Sequence, residues 1–203
     1  MWAFPENEQW KRFAEPYSIA DILTVVPAWC DVPQQCCEHT ITIDSQQSFG
    51  LLHPSTRLCL EILTNLVYRA TRFLDVGCGS GLLTVASLRL GASRASVVDI
   101  DPDAVRCCLH NASVNGVVDR VDVLPPDAQW PIKAHDLVIA NLGGALVFET
   151  LEAKLFDAVA LDGILVAGGL LDVNVAPAME IFQRWSHTET VQQEGWNALL
   201  LFP

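Results

Sequence analysis

The sequence predicts an α/β fold, a mostly parallel β-sheet with helices on both faces and an antiparallel C-terminal edge. Two observations predict it. From residue 54 onward, short apolar runs typical of strands alternate with segments of helical periodicity. A glycine-rich turn follows the first of these strands, as in parallel sheets that bind ligands beyond the carboxyl ends of their strands.

The predicted elements follow one another in a regular order. A first helix begins at Pro54, and further helices cover 82–90, 101–115 and 145–160. Asp101-Pro102 is a typical helix start, because an N-cap acceptor precedes a proline at the first helical position. Gly91 and Gly116 are well placed to end helices. The predicted strands are 72–76, 95–100, 121–124, 137–140, 164–167, 187–191 and 196–202, of which the last two would form the antiparallel edge.

The first 50 residues lack this alternation. They are rich in aromatic and proline residues, and we expect them to be irregular apart from a short strand at 22–26. The chain is therefore expected to consist of an N-terminal extension or lid, residues 1–50, and a single ligand-binding domain, residues 51–203.

Composition narrows the classes of partner. Lys plus Arg is 12 and Asp plus Glu is 24, so the net charge is -12, which disfavours nucleic acid and favours a cationic partner. The apolar run at 163–171 is bounded by Asp162 and Asp172 and is much shorter than the ~20 residues of a spanning helix. The N-terminus resembles no signal segment. We expect a cytoplasmic protein with no membrane partner.

The seven cysteines indicate neither a disulfide framework nor a metal site. Their number is odd, and four of them form two pairs of sequence neighbours. Cys36-Cys37-Glu38-His39 has metal-ligand chemistry, but no second ligand pair follows at zinc spacing. We expect most cysteines to be small buried hydrophobic residues and predict no metal.

The loop after the first predicted strand of the sheet domain has the sequence DVGCGSG at 75–81. Its glycines let the backbone turn sharply and approach a ligand, and the next helix presents unpaired N–H groups. Asp99 ends the following strand, where a carboxylate can accept hydrogen bonds from both ribose hydroxyls of an adenosine. Together these features predict a Rossmann-like site for an adenosine-containing cofactor.

Two residues favour S-adenosylmethionine over a dinucleotide. The nicotinamide fingerprint requires a third glycine where this chain has Leu82. Asp75 would lie poorly beside a pyrophosphate, but it can accept a hydrogen bond from the amino group of a methionine moiety. The expected cofactor is therefore S-adenosylmethionine.

Loops after the next two strands supply further candidates. Asp127-Ala128 follows the third strand, where a carboxylate can accept from the adenine amine. Asn141 follows the fourth strand, where the activated methyl group would lie. Its carbonyl can hold a nucleophilic amine in line, and such positioning supplies much of the acceleration in a displacement at an already activated carbon.

Four blocks of sequence resemble the PrmA-type ribosomal-protein methyltransferases. The blocks are SFG with HPSTRLCLE at 48–61, then 74–81, then DIDP with Ala104-Val105, and 136–142. The resemblance implies a class I methyltransferase fold with a seven-stranded sheet. It also implies methyl transfer to amines, namely lysine side chains and an N-terminal amino group of a ribosomal protein.

Matching positions imply a role for each site residue. Phe49 and Thr56 would line the methionine end of the cofactor, Asp99 would hold the ribose and Asn141 would face the acceptor nitrogen. The complete set of candidate cofactor contacts is Phe49, Thr56, Asp75, Gly77, Cys78, Gly79, Asp99, Ile100, Asp127, Ala128 and Asn141. The candidate catalytic residues are Asn141 and His53.

The chain departs from the family where the acceptor is recognised. The family carries an additional N-terminal docking domain, and this chain starts at about the point where that domain would end. The loop at 50–52 is also shorter and less polar. The acceptor therefore stays open between a peptide, a small metabolite and a protein lysine or N-terminus.

Several alternatives stay open from the sequence. His53 precedes a helix and is either a structural cap or a base or acceptor contact. Asn141 is either an acceptor contact or an asparagine that hydrogen-bonds within a turn. The chain as a whole is either an N-methyltransferase or a catalytically silent cofactor-binding regulatory module. A nucleotide-dependent oxidoreductase is a weaker third hypothesis. The sequence predicts no oligomeric state.

Overall fold

The structure is a computed structural model that describes residue 11 and residues 14–45, 51–67 and 72–203. These residues contain ten strands and five α-helices. The strands are β1 (Tyr17–Ile19), β2 (Leu23–Pro27), β3 (His39–Ile43), β4 (Arg72–Val76), β5 (Arg94–Val98), β6 (Val121–Val123), β7 (His135–Asn141), β8 (Val159–Leu171), β9 (His187–Gln193) and β10 (Trp196–Phe202). The helices are α1 (Pro54–Leu66), α2 (Leu82–Arg89), α3 (Pro102–Val114), α4 (Leu146–Ala158) and α5 (Asp172–Ile181).

Seven strands form the central sheet in the order β6-β5-β4-β7-β8-β10-β9. The first five are parallel to one another, and β10 is antiparallel to both β8 and β9. The chain moves outward in one direction from β4 to β5 and β6, and then returns to the other side of β4 with β7. Ligands of open α/β sheets bind at such a reversal. The predicted α/β class and the antiparallel C-terminal edge are confirmed.

Helices cover both faces of this sheet. Along each strand, alternate side chains enter two different apolar clusters, as the period of two requires. Phe73, Leu137 and Val166 face the cluster that contains α1 and α2, whereas Leu74, Val138 and Leu165 face the cluster with α4 and α5. Within the described ranges, no helix combines the length and the apolar character needed to cross a bilayer.

The N-terminal part is more regular than the sequence predicted. We expected one short strand, but β1, β2 and β3 form a small sheet in which β1 and β2 are antiparallel and β2 and β3 are parallel. Its inner residues, among them Leu23, Val25 and Ile41, belong to the same apolar cluster as Leu58 and Leu63 of α1. Residues 14–45 therefore share the core of the sheet domain. Their action as a lid stays a prediction.

Helix α5 was missed by the sequence prediction. It contains Pro177, which cannot donate a backbone hydrogen bond and usually breaks a helical pattern. Only Ala178 of this helix is buried, and Val173 in its first turn is 78% exposed, so α5 lacks the apolar stripe by which surface helices are recognised.

A bulge in β8 shapes the chain near the end of β7. The pairing between β8 and β10 shifts so that Gly168 and Gly169 together face a single residue of β10. Gly169 has a φ of +77°, and its carbonyl oxygen accepts from the Gly144 N–H at 3.4 Å. Gly168 likewise accepts from the Leu142 N–H at 3.3 Å. The bulge thereby holds the loop that follows Asn141.

The energetic cost of the close approach at this bulge can be measured by comparing Gly169 with Gly195, which has nearly the same φ. A Cβ at Gly169 would overlap the backbone of Leu142, whereas Gly195, with a φ of +78°, has open space around it. Gly169→Ala is expected to lower the free energy of unfolding by ~2–5 kcal/mol, from left-handed strain plus overpacking. Gly195→Ala should lose only the strain, ~1–2 kcal/mol. Urea unfolding of both variants measures the difference, and equal losses would contradict the close approach.

Candidate active site

The carboxyl ends of β4, β5 and β7 meet at one edge of the sheet, here called the carboxyl edge. Val76 of β4 is in register with Val98 of β5 on one side and with Ala140 of β7 on the other. The residues that follow these three strands are the glycine loop, Asp99 and the loop after Asn141. The sheet therefore brings together the predicted site residues of three separate loops.

The glycine loop at 77–81 is fastened to both of its neighbours. The Gly77 and Cys78 N–H groups donate to the Val98 carbonyl oxygen at 2.7 and 3.2 Å. Gly81 has a φ of +76°, and a Cβ there would lie 2.6 Å from Cys108 Sγ in α3. A side chain at residue 81 would push α3 away, so the loop needs glycine there for packing as well as for its turn.

Asp99 holds the loop from the end of β5. Its Oδ2 accepts from the Gly79 N–H at 3.0 Å, and its Oδ1 accepts from the Asp101 N–H at 3.0 Å. A carboxylate has about four acceptor sites, so both oxygens retain capacity for hydroxyl donors. Asp101 itself caps α3 by accepting from the Asp103 N–H at 2.9 Å. Next to Asp99, the Ile100 side chain is 89% exposed.

Asp75 is a fully buried carboxyl group. Its Oδ2 accepts from Thr84 Oγ1 at 2.6 Å, while Oδ1 has no hydrogen-bond partner among the described residues. Burial raises the pKa of Asp75 to about 7, and the nearby Asp99 charge adds to the rise. Burial disfavours the charged form, so a cationic or N–H donor group at Oδ1 would relieve the cost.

Asn141 and Thr56 meet although 85 residues separate them. The Asn141 Nδ2 donates to Thr56 Oγ1 at 3.1 Å, which fixes the orientation of the carboxamide. Its Oδ1 is buried and has no partner within the described part of the chain. The site therefore holds a second oriented acceptor, at the end of the strand next to the one that carries Asp75.

His53 has the geometry of a helix cap. Its Nδ1 accepts from the Ser55 N–H at 3.3 Å and lies 2.8 Å from Ser55 Oγ. The ring also packs edge-on against Trp196, with the centroids 4.5 Å apart. Burial lowers the pKa of His53, which favours the neutral ring that this cap requires. The capping interpretation is the one that these contacts support, and a base role stays a prediction.

The remaining candidates lie around this centre. The Cys78 side chain packs with Val97 and Cys108, and the contact with Cys108 together with burial raises its pKa. A cofactor contact at Cys78 would therefore come from its backbone. Asp127 is exposed in the loop after β6. Lys154 Nζ donates to the backbone oxygen of Ala128 at 3.3 Å and so ties this loop to α4. Phe49 lies outside the described residues.

Sequence reasoning missed Thr84, the hydrogen-bond donor to Asp75. Thr84 is completely buried in the first turn of α2, nine residues after Asp75. A threonine in an otherwise apolar helix start is a weak signal, because most such hydroxyls bond to their own helix.

Comparison with known proteins identifies the family. The family model of ribosomal protein L11 methyltransferase (PrmA) matches residues 5–201. The chain belongs to this family. It is 32% identical to the ribosomal protein L11 methyltransferase of Tolumonas auensis over 94% of its own length and 65% of that relative's. The corresponding protein of Neisseria gonorrhoeae is 36% identical, with 96% and 66% covered. The chain thus spans about 65% of the length of these relatives.

Solved structures agree on the fold. A ribosomal protein L11 methylase from Lactobacillus delbrueckii subsp. bulgaricus superposes with a TM-score of 0.78 and 20% identity, covering 92% of this chain and 97% of that one. An O-methyltransferase from Bacillus cereus, solved with SAH, gives a TM-score of 0.57 at 12% identity, with 72% and 81% covered. The class I methyltransferase fold and the family's cofactor, S-adenosylmethionine, are confirmed as predicted. The roles assigned to individual residues stay predictions.

The raised pKa of Asp75 predicts an unusual dependence of stability on pH. Between pH 4 and about 7 the folded protein keeps the Asp75 proton, whereas the unfolded chain, with an ordinary pKa of 3.8, has released it. The contribution of Asp75 to the free energy of unfolding therefore falls as the pH rises through that window. Asp75→Asn cannot ionise, so its free energy of unfolding lacks this dependence on pH. Relative to wild type, the variant should be more stable at pH 8 than at pH 5 by a few kcal/mol, at about 1.4 kcal/mol per pKa unit, as measured by urea unfolding. Parallel pH profiles would show that Asp75 titrates normally.

Proposed function

We propose that this chain transfers a methyl group from S-adenosylmethionine to an amine nitrogen. The observation that carries the proposal is the Asn141 carboxamide, which Thr56 orients so that a buried acceptor oxygen lies unused at the end of β7. A neutral amine has N–H donors and one lone pair. If an N–H donates to Asn141 Oδ1, the lone pair is left to attack in a fixed direction.

Residues along the carboxyl edge support binding of the cofactor in one orientation. The remaining acceptor capacity of Asp99 suits the two ribose hydroxyls, and the exposed Ile100 beside it offers an apolar surface to the adenine ring. Asp127 would accept from the adenine amine. Asp75 Oδ1 suits the amino group of the methionine moiety, because a cation there offsets the desolvation of the carboxylate.

The chemistry needs little from the protein beyond positioning. The cofactor supplies a methyl group that its sulfonium has already activated. When bound, it would supply the carbon for the new N–C bond and take the electron pair of the broken S–C bond on sulfur, and the amine nitrogen would lose its proton to solvent. Asn141 holds the nitrogen in line, and the glycine loop closes the site from the side of β4.

The acceptor follows from chemistry shared with the family. The curated relatives are named for ribosomal protein L11, so a protein amine is the first acceptor to test. The net charge of -12 also favours a cationic acceptor over nucleic acid. Peptides and small amines offer the same nucleophile and are proposed beside the ribosomal protein.

Cofactor binding is tested at Asp99, with its neighbour Asp101 as the control. Asp99→Ala should weaken S-adenosylmethionine binding in calorimetry by roughly 1–3 kcal/mol, the cost of lost charge-assisted hydrogen bonds. Asp101→Ala removes the N-cap of α3 and should cost ~1 kcal/mol of stability with little change in affinity. If wild type binds no cofactor, or both variants lose the same affinity, the proposed ribose site is wrong.

Methyl transfer is tested at Asn141, with ribosomal protein L11, a lysine-containing peptide and a small amine as acceptors. Asn141→Ala should lower kcat ~100-fold, as misplacement of a nucleophile does, while the dissociation constant for the cofactor stays nearly unchanged. Thr56→Val removes only the hydroxyl that orients the carboxamide and should lower kcat less. Transfer of labelled methyl groups provides the measurement. Cofactor binding without transfer to any of the three acceptors would favour the catalytically silent regulatory module instead.

A further inference from the structure

Asn111 of α3 and Asn115, the residue that follows this helix, form hydrogen bonds along β3 as a neighbouring strand would. One edge of β3 pairs with β2, and its other edge faces α3. Asn115 accepts from the Thr42 N–H at 2.9 Å and donates to the Thr42 oxygen at 2.7 Å. Asn111, one helical turn earlier, does the same to Asp44, at 2.8 Å in both directions. The backbone N–H and C=O groups of Thr42 and Asp44 are thereby satisfied by side chains.

Asn111 differs from Asn115 in its contact with the glycine loop. Its Nδ2 also donates to the Ser80 carbonyl oxygen at 2.8 Å, inside the glycine loop. Ser80 lies between Gly79, whose N–H is bound by Asp99, and Gly81, which packs on α3. The Asn111 side chain is completely buried, so each hydrogen bond it loses leaves a buried polar group without a partner.

We infer that Asn111 is a positioning residue. It ties the glycine loop to the small sheet of β1, β2 and β3, so that the loop binds the cofactor well only when β3 is docked against α3. A single carboxamide holds Asp44 and Ser80 together. Coupling of this kind is reciprocal, so docking of β3 strengthens cofactor binding by the same factor as the cofactor stabilises β3. The inference rests on the proposed function only in that the glycine loop contacts the cofactor.

Asn115 provides the matched control. Asn111→Ala and Asn115→Ala each remove a carboxamide that pairs with β3, but only Asn111→Ala removes the contact with Ser80. Amide hydrogen exchange of the cofactor-free proteins is measured first. Both variants should exchange faster at Thr42, whereas only Asn111→Ala should exchange about tenfold faster at Gly79 and Gly81, the loss expected for one or two net hydrogen bonds.

Affinity for S-adenosylhomocysteine is measured next by calorimetry. Asn111→Ala should bind about tenfold more weakly, and Asn115→Ala should remain within about twofold of wild type. In wild type, S-adenosylhomocysteine should also slow exchange at Thr42, and Asn111→Ala should abolish this effect. Asn111→Ser, whose hydroxyl is too short to bridge Asp44 and Ser80, is a milder second variant with the same expected pattern.

The outcomes separate this inference from the proposed function. Equal loop exchange and equal affinity in the Asn111 and Asn115 variants would overturn the inference, because both residues would then be merely structural. A wild-type protein that binds no S-adenosylhomocysteine would overturn the proposed function, and the exchange at Gly79 and Gly81 would still decide the role of Asn111.

Discussion

The parallel pairing of β4 with β5 on one side and β7 on the other is the constraint on which the rest of the site depends. Because the three strands run in the same direction and stay in register, the residues that follow them come out at one edge of the sheet. The glycine loop can then reach β5 with its N–H groups, and Asp99 can reach back to Gly79. With any one of these strands reversed, the same residues would lie at opposite ends of the sheet.

The carboxyl edge also concentrates groups that cost stability. Asp75 Oδ1 and Asn141 Oδ1 are both buried acceptors without partners among the residues that the structure describes, and their residues lie near the carboxyl ends of adjacent strands. An unsatisfied buried acceptor costs free energy that most of a protein avoids. Here the cost is offset by the apolar packing on both faces of the sheet. Such acceptors need no reorganisation before they meet a ligand, which is how a rigid site favours binding.

Much of this arrangement was predictable from the sequence, and the exceptions have physical causes. Strand β4 has the predicted bounds, because a short apolar run between polar residues and glycines has few other interpretations. Asp99 and Asn141 could be placed at the carboxyl edge because each lies where a predicted strand ends, and their roles stay predictions. Helix α5 was missed because it buries almost nothing. Thr84 and Asn111 were missed because a polar residue on a helix has no local feature that distinguishes a buried partner from solvent, and the partners of Asn111 are also far away in sequence.

The two edges of the central sheet have a consequence for behaviour at high concentration. An unpaired strand edge is a template for aggregation, and aggregation is a particular risk for a chain that is 51% hydrophobic. One edge is β6, which is only three residues long and carries Asp122, the partner of Arg94 in an ion pair. The other is β9, where Glu189, Thr190 and Gln192 are exposed. Short length on one side and polar side chains on the other keep the sheet from growing by addition of strands from other molecules.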